Sequence, residues 1–325
     1  VVELAIIGAG IMGGHHARIA RSTPGTDVTF VVDKDEEKGR QLASHVGAEF
    51  LPSIDQLDGR VDAAIVSVPT DLHAEIGLQL LESGLDVLIE KPIASTVEEA
   101  KELVAAAERT GRILMVGHVE QFNPAVIEVR RHVADPVHID VKRVGPFSPR
   151  VPTGVALDLM IHDVDLVISL TGSRPVQIAS VVHRLYSANE DFAACILTFA
   201  TGVSAVLTAS RVSQTKQRQI EITQRENYIV ADLVRQQVTI HRLQHAEFVD
   251  ERGAMYRQSG VIEIPYLDHQ GEPLALEQRH FIDCVVHRTQ PAVSGEDGLT
   301  ALDTAIQIRD QAIVMEDARF DPAGT

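Results

Sequence analysis

A chain of 325 residues, 45% hydrophobic and 23% charged, holds enough apolar material for two folded domains. Its net charge of −17 argues against a nucleic-acid-binding surface, which needs a positive field. No apolar run approaches the roughly 18 residues of a membrane span, so neither a nucleic-acid nor a membrane partner is expected.

The chain opens on a buried strand, Leu4 to Ile7, which runs into Gly8-Ala9-Gly10-Ile11-Met12-Gly13 and a helix over Gly13 to Ala20. A second apolar run, Val28 to Val32, ends in Asp33, 20 residues after Gly13. Strand, glycine turn, helix, strand and acid in that order form the dinucleotide-binding fingerprint. Gly8 permits the tight turn, Gly10 clears the approach to a pyrophosphate, and Gly13 allows helix and strand to pack closely. The helix N-terminus, at Ile11 and Met12, offers unpaired N–H groups to the diphosphate. Asp33 can accept from the adenosine ribose hydroxyls and would repel a 2′-phosphate, so NAD is expected rather than NADP, although Lys34 softens the repulsion. Asp33 as the N-cap of a helix beginning near Glu36 is the structural alternative, and both roles are compatible.

Alternation continues. Lys34 to Val46 reads as a helix, Ala63 to Val68 as a strand ending at Pro69, and Asp71 to Ser83 as a helix capped by Asp71. Asp86 to Glu90 is a strand ending at Lys91-Pro92, Thr96 to Thr110 a helix stopped by Gly111, and Ile113 to Val116 a further strand. This spacing implies a doubly wound parallel sheet with helices on both faces. After Gln121 the pattern changes. Val137 to Val144 is strand-like and Gly154 to Leu170 helical. Alternating segments dominate from Val176, with a hairpin of Ala193 to Phe199 and Val203 to Ser210, then Gln219 to Thr223, Tyr228 to Leu233 and Gln237 to Arg242. Helices follow over about Leu274 to His287 and Leu299 to Met315. The expected fold is α/β: a Rossmann domain over 1–121 binds NAD. An α+β domain over 122–325, with a large, mainly antiparallel open sheet, binds substrate and forms oligomers. Ligands are expected in the crevice between them. One face of the broad sheet needs cover, so a homodimer or homotetramer through it is expected.

Parallel strands present ligands at their C-terminal ends. Pro69 and Thr70, with His73 just beyond, mark one such end; Glu90 and Lys91 mark a second; Gly117-His118, leading through Gln121, Phe122 and Asn123 to Pro124, marks a third. A lysine at the second end suits a ligand oxygen or developing alkoxide, the alternative being a solvated lysine paired with Glu90. Pro92 permits a cis bond that would aim Lys91 inward. Farther on, Asp158 and His162 are four residues apart and share one helix face, which Asp165 continues. A histidine beside a carboxylate is a usable general base near neutral pH. The competing reading is an aspartate cap and a solvent-facing histidine. The two-histidine spacing of a zinc protease is missing, and Cys195 and Cys284 are isolated, so no metal site is expected and both thiols read as buried and reduced. With no basic, apolar and cleavage-site sequence at the N-terminus, a cytoplasmic location is expected.

The glycine turn, Glu90-Lys91-Pro92 and the Asp158 to His162 helix together resemble the glucose–fructose oxidoreductase, inositol dehydrogenase and rhizopine catabolism (Gfo/Idh/MocA) family. The resemblance extends over nearly the whole chain, including Pro291 to Gly298. It implies that Lys91 and His162 act at the reacting hydroxyl with Asp158 beside them. Within the family, Gly117 to Pro124 and Arg143 to Arg150 resemble the enzymes that oxidise C3 of UDP-N-acetylhexosamines. His118, Gln121, Phe122, Asn123, Arg143 and Arg150 thereby become substrate-binding candidates beside Asp158 and His162. Gln121 stands where arginine is usual in that group, which leaves Arg143 and Arg150 to meet a diphosphate; ordinary surface charge on a loop is their bland reading. The implied reaction moves a hydride from a sugar secondary alcohol to NAD. His162 takes the proton and Lys91 stabilises the alkoxide, with Lys91 as proton acceptor the alternative. An inositol or free-sugar dehydrogenase and a non-catalytic NAD-responsive regulator are the competing functions; acidic pocket residues would favour the neutral substrate and basic ones the nucleotide sugar.

Overall fold

The computed structural model describes residues 1–57, 59–147, 153–242, 246–249, 255–258, 260–268 and 271–316. The N-terminal apolar run forms β1 (Val2–Ile7), and the glycine turn delivers the chain into α1 (Ile11–Ser22). There follow β2 (Thr26–Val32), α2 (Glu36–Val46), β3 (Glu49–Leu51), β4 (Ala63–Val66), α3 (His73–Glu82), β5 (Asp86–Glu90), α4 (Val97–Thr110) and β6 (Leu114–Gly117). The six strands pair in parallel in the order β3-β2-β1-β4-β5-β6. Because helices cover both faces, the strands are buried on both: Leu4, Ile6, Ile65 and Ile89 have no exposed surface. The order reverses between β1 and β4, the place where such sheets open a crevice beyond the strand ends.

Local chemistry sets the helix limits. Asp35, not Asp33, caps α2, accepting from the Lys38 N–H at 3.2 Å. Thr96 and Glu99 close a reciprocal capping box on α4, and Gly111 ends it in the left-handed conformation at φ +65°. The sequence reading of Asp71 as a cap does not hold. Thr70–Leu72 forms a 3-10 turn, α3 starts at His73, and Leu72 occupies the cap position with no side-chain bond.

The second unit starts at α5 (Pro124–His132), which the sequence reading left out, and continues through β7 (Pro136–Val144) to α6 (Ile161–Thr171). A π-helical turn, Ala156–Met160, leads into α6. Then come β8 (Pro175–Arg184), β9 (Phe192–Phe199), β10 (Ser204–Ser210), β11 (Gln217–Gln224), β12 (Asn227–Asp232), β13 (Gln237–Arg242), a hairpin of β14 (Ala246–Val249) and β15 (Met255–Gln258), and β16 (Val261–Glu263). α7 (Pro273–His287), α8 (Gly295–Asp310) and β17 (Ile313–Glu316) are the last elements among the described residues. Nine strands form one sheet in the order β16-β13-β12-β11-β7-β10-β9-β8-β17, antiparallel except where β7 meets β10 and β8 meets β17. Alternate residues such as Leu197 and Phe199 of β9, Leu207 of β10 and Ile220 and Ile222 of β11 make its buried face. They form one core with Val126 and Val129 of α5 and Val164 and Val167 of α6.

Two features depart from the sequence reading. The chain divides into Val1–Phe122 with Gly271–Asp303, and Asn123–Gln270 with Thr304–Thr325, so the boundary near 121 is joined by a return of the chain to its first unit. There α7 touches α1 and the turn Val119–Phe122, and Val116 N–H donates to Val293 O at 3.1 Å, fastening the returning segment to β6. The last helix also starts earlier and ends sooner than 299–315. Ser294 and Asp297 exchange capping bonds at its start, and residues 313–316 pair in parallel with β8. A short apolar run such as Ile313 to Met315 fits strand or helix equally by pattern, and the free edge of β8 decides it.

Candidate active site

In the glycine turn, Gly8 sits at φ +100°, and a Cβ there would lie 2.8 Å from Ser67 O. At Gly13 a Cβ would fall 1.8 Å from Gly8 O, so only glycine lets α1 start this close to β1. Gly10 is different: a Cβ would meet nothing within 4 Å. Its bareness leaves an open cradle in front of Ile11 and Met12, which are 71% and 37% exposed at the start of α1, as a diphosphate would need. Asp33 follows β2 and braces the turn, its Oδ2 accepting from Ala9 N–H at 2.6 Å and its Oδ1 from Asp35 N–H at 2.7 Å. Gly8, Gly10, Asp33, Lys38, Pro69 and Leu72 line one cavity of about 470 Å³, of a size for the adenosine half of a dinucleotide. Lys38 there is paired with Asp35 at 2.6 Å. These features fit NAD.

At the end of β5, Glu90 and Lys91 lead into a cis Lys91–Pro92 peptide. The Glu90 carboxylate turns back onto the chain, Oε2 accepting from Lys91 N–H at 3.2 Å and Oε1 lying 3.0 Å from His16 Nε2. The favourable contacts with His16 and Lys91 overcome burial and hold its carboxyl below the usual range. His73 is buried, its Nδ1 2.8 Å from Pro92 O and its Nε2 3.0 Å from Val68 O, so it ties the Pro69–Thr70 turn to the Pro92 loop. Burial pushes its pKa down. His118, just past β6, has no exposed surface, and burial followed by the positive charge of Lys91 lowers its pKa to about 3. It is therefore neutral in the physiological range, and the Lys91 charge is felt at its ring. Gln121 and Phe122 are buried next to it in sequence, Phe122 tilted against the His280 ring at 5.4 Å.

In the second unit, Asn123 caps α5, its Oδ1 accepting from Ala125 N–H at 3.1 Å while its amide donates to Leu233 O at 3.0 Å. Arg143 is not surface charge on a loop. It lies on β7, 3% exposed, with its Nε and Nη2 both donating to Asp163 at 2.7–3.0 Å. Asp158 stands in the π-helical turn and His162 in the first turn of α6, both half-buried. A π-turn departs from regular helical spacing and often marks a functional position. Arg150 lies outside the described residues. Around Asp158 opens a pocket of about 160 Å³ also lined by Arg143, Arg211, Lys216 and Arg218, four cations to one acid. Arg211 is buried and fixed by Asp191 at 2.7 Å and Ser187 at 2.6 Å, with Phe147 under its guanidinium at 5.5 Å. Sequence reading missed Arg211, Lys216 and Arg218, because they are distant from Asp158 along the chain and carry no motif.

A Rossmann unit with an open glycine cradle and a strand-end lysine, on a chain whose mixed-sheet unit carries an aspartate–histidine helix, defines an NAD-binding oxidoreductase. Residues 2–118 match the family model described as an oxidoreductase family with an NAD-binding Rossmann fold, and residues 97–230 match the GFO/IDH/MocA C-terminal domain. The chain belongs to the Gfo/Idh/MocA oxidoreductase family. It is 28% identical over 310 residues to the UDP-N-acetylglucosamine 3-dehydrogenase of Acidithiobacillus ferrooxidans, covering 95% of this chain and 96% of that protein. A solved structure of that enzyme superposes with a TM-score of 0.86 at 27% identity over 96% of this chain and 97% of that one. The scyllo-inositol 2-dehydrogenase (NAD(+)) of Bacillus subtilis is 24% identical over 326 residues, 94% of this chain and 92% of that protein. No helix among the described residues is long and apolar enough to cross a membrane.

Proposed function

We propose that this protein is an NAD-dependent dehydrogenase of a nucleotide sugar, oxidising the C3 hydroxyl of a UDP-N-acetylhexosamine. The observation that carries this reading is the pocket at Asp158, where Lys216 and Arg218 join Arg143 and Arg211, the latter two each held by a buried aspartate, in a basic lining that suits a diphosphate better than a neutral inositol. The similarity to the Acidithiobacillus ferrooxidans enzyme along nearly both chains supports it.

NAD, when bound, supplies the acceptor for the hydride leaving the sugar carbon. The N–H groups of Ile11 and Met12 hold its diphosphate, and Asp33 receives the adenosine ribose in preference to a 2′-phosphate. His162 removes the hydroxyl proton as the carbon is oxidised. Lys91 places its positive charge against the developing alkoxide, and Asp158 keeps His162 and the sugar in register. Retention of all three side chains favours turnover over a purely regulatory role. The outer face of the nine-stranded sheet, where Ile196 is 52% exposed, is read as the contact between copies. Sedimentation velocity should find a dimer or tetramer that Ile196→Asp dissociates; a wild-type monomer would refute it.

The deciding experiment is a panel of UDP-sugars and inositols with NAD and NADP, followed by nicotinamide absorbance. Turnover of UDP-N-acetylhexosamine with NAD is expected. Turnover of inositol alone would move the assignment to the neutral-substrate enzymes, and tight NAD binding without turnover would favour the regulator. In single-turnover reactions with NAD bound, His162→Ala and Lys91→Met should both slow hydride transfer. Wild-type rates in both would remove those roles.

A further inference from the structure

The first unit contains a chain of buried polar contacts behind Lys91 that the proposed chemistry does not use. Its members come from three elements. His16 lies on α1, five residues after Ile11, and has no exposed surface. Glu90 ends β5. Gln278 lies on α7 and is likewise fully buried. The Gln278 amide nitrogen is 3.1 Å from His16 O and 3.4 Å from His16 Nδ1. An amide nitrogen carries two hydrogens and only donates, so it selects the tautomer with Nδ1 as acceptor and the hydrogen on Nε2. That hydrogen is donated to Glu90 Oε1 across 3.0 Å. The other Glu90 oxygen takes the Lys91 N–H. The fit is close on the remaining side too, since a Cβ on Gly117 would come within 3.2 Å of Glu90 Oε2. Glu277, the neighbour of Gln278, is fully buried with neither carboxyl oxygen hydrogen-bonded, and burial with the nearby Glu90 charge raises its pKa well above the ordinary carboxyl range. The ionised group of this cluster is therefore Glu90, and it faces the Lys91 backbone.

We propose that His16 and Glu90 are a positioning pair: they fix the Lys91 peptide to the helix that binds the cofactor diphosphate, with Gln278 holding His16 in the donating tautomer. The pair acts through Lys91, whose N–H Glu90 accepts. It rests on the reading of Lys91 as the group that meets the alkoxide, and it makes the glycine turn and that lysine one rigid assembly. A lysine whose backbone is free to tilt loses alignment with the reacting oxygen, and misplacements of about an ångström can cost on the order of a hundredfold in rate.

The test has two arms. The chain has six lysines, so selective 15N-lysine labelling of the full-length protein gives six backbone amide signals, and Lys91→Met identifies the one from Lys91. In His16→Leu and in Glu90→Gln that signal should move while the other five stay within about a tenth of a part per million, as expected for loss of a local charge-assisted hydrogen bond. In turnover, His16→Leu should lower kcat roughly ten- to a hundredfold with KM little changed, and His16→Gln, which keeps a donor, should recover most of it. Should His16→Leu fail to fold, Glu90→Gln and His16→Gln read the same contacts without a change of volume. A Lys91 signal unmoved by Glu90→Gln, or a His16→Gln variant as slow as His16→Leu, overturns the proposal. Wild-type protein that turns over no substrate in the panel would instead refute the role of Lys91, while the amide arm would still report on the pair.

Discussion

Arg143 and Asp163 form a fully buried ion pair, the guanidinium giving three hydrogen-bond contacts of 2.7–3.0 Å to one carboxylate. The pair joins β7 to α6 directly beside the pocket at Asp158. Removing one partner strands the other charge in the interior at about 3–5 kcal/mol, whereas replacing both by apolar groups of similar size can be nearly neutral. Arg143→Met should therefore destabilise strongly, and Arg143→Met with Asp163→Leu should regain most of the loss in urea unfolding. Additive losses would show that the two do not act as a pair.

Lys216 and Arg218 enter the same pocket from the start of β11. If they meet a diphosphate, Lys216→Ala and Arg218→Ala should each raise KM for a UDP-sugar about tenfold, the size of one charge-assisted contact. The effect should shrink at high salt, and NAD affinity should not change. An unchanged KM in both variants would leave the pocket without a diphosphate.

Asp33 braces the turn through Ala9 N–H, and in the proposed function the same carboxylate receives the adenosine ribose. Asp33→Ser should lower affinity for NAD, raise that for NADP, and cost about 1–3 kcal/mol of stability through the orphaned turn N–H groups. Isothermal titration with both cofactors checks it. Unaltered discrimination would mean that the carboxylate serves the turn alone.

Glu277 keeps its proton in the folded protein to a pH well above 4.5, while in the unfolded chain it ionises near that value. The stability of the native state therefore falls as pH rises from about 4.5 toward the native pKa, with a limiting slope of about 1.4 kcal/mol per pH unit. Glu277→Gln removes that term. The variant should match wild type near pH 4.5 and become progressively more stable than it at higher pH, seen in melting temperatures. Parallel pH curves would contradict a buried neutral acid.

His118 works in the opposite sense. Its folded pKa of about 3, against 6.5 for the free group, means that below pH 6.5 the unfolded chain takes up a proton the native state refuses. Stability is complete above 6.5 and is lost as pH falls toward 3. His118→Gln should flatten the decline in urea midpoints between pH 6.5 and 5. A slope equal to wild type would rule out the neutral buried ring.

Much of the first unit was legible from local pattern, because the strands other than the three-residue β3 carry apolar runs and each turn has its own residue chemistry. The glycines at 8 and 13 are dictated by contacts within a few residues or across one strand, so their spacing together with the flanking strands, helix and acid identifies the turn. The Asp71 cap failed because a 3-10 turn displaced the helix start by two residues. The buried status of Arg143 was invisible, since its carboxylate partner lies on another element and a cation on a strand resembles any solvated one.

By itself the sequence determined the two kinds of sheet, the dinucleotide turn and the strand-end lysine, since backbone geometry and hydrophobic period act over neighbouring residues. Only the tertiary structure decided that residues 271–303 return to the first unit, that His16 and Gln278 stand behind Glu90, and that four cations surround Asp158. Those placements depend on contacts between residues up to 262 positions apart, and burial, which alters charge and hydrogen-bonding demand, exists only once the chain has closed on itself.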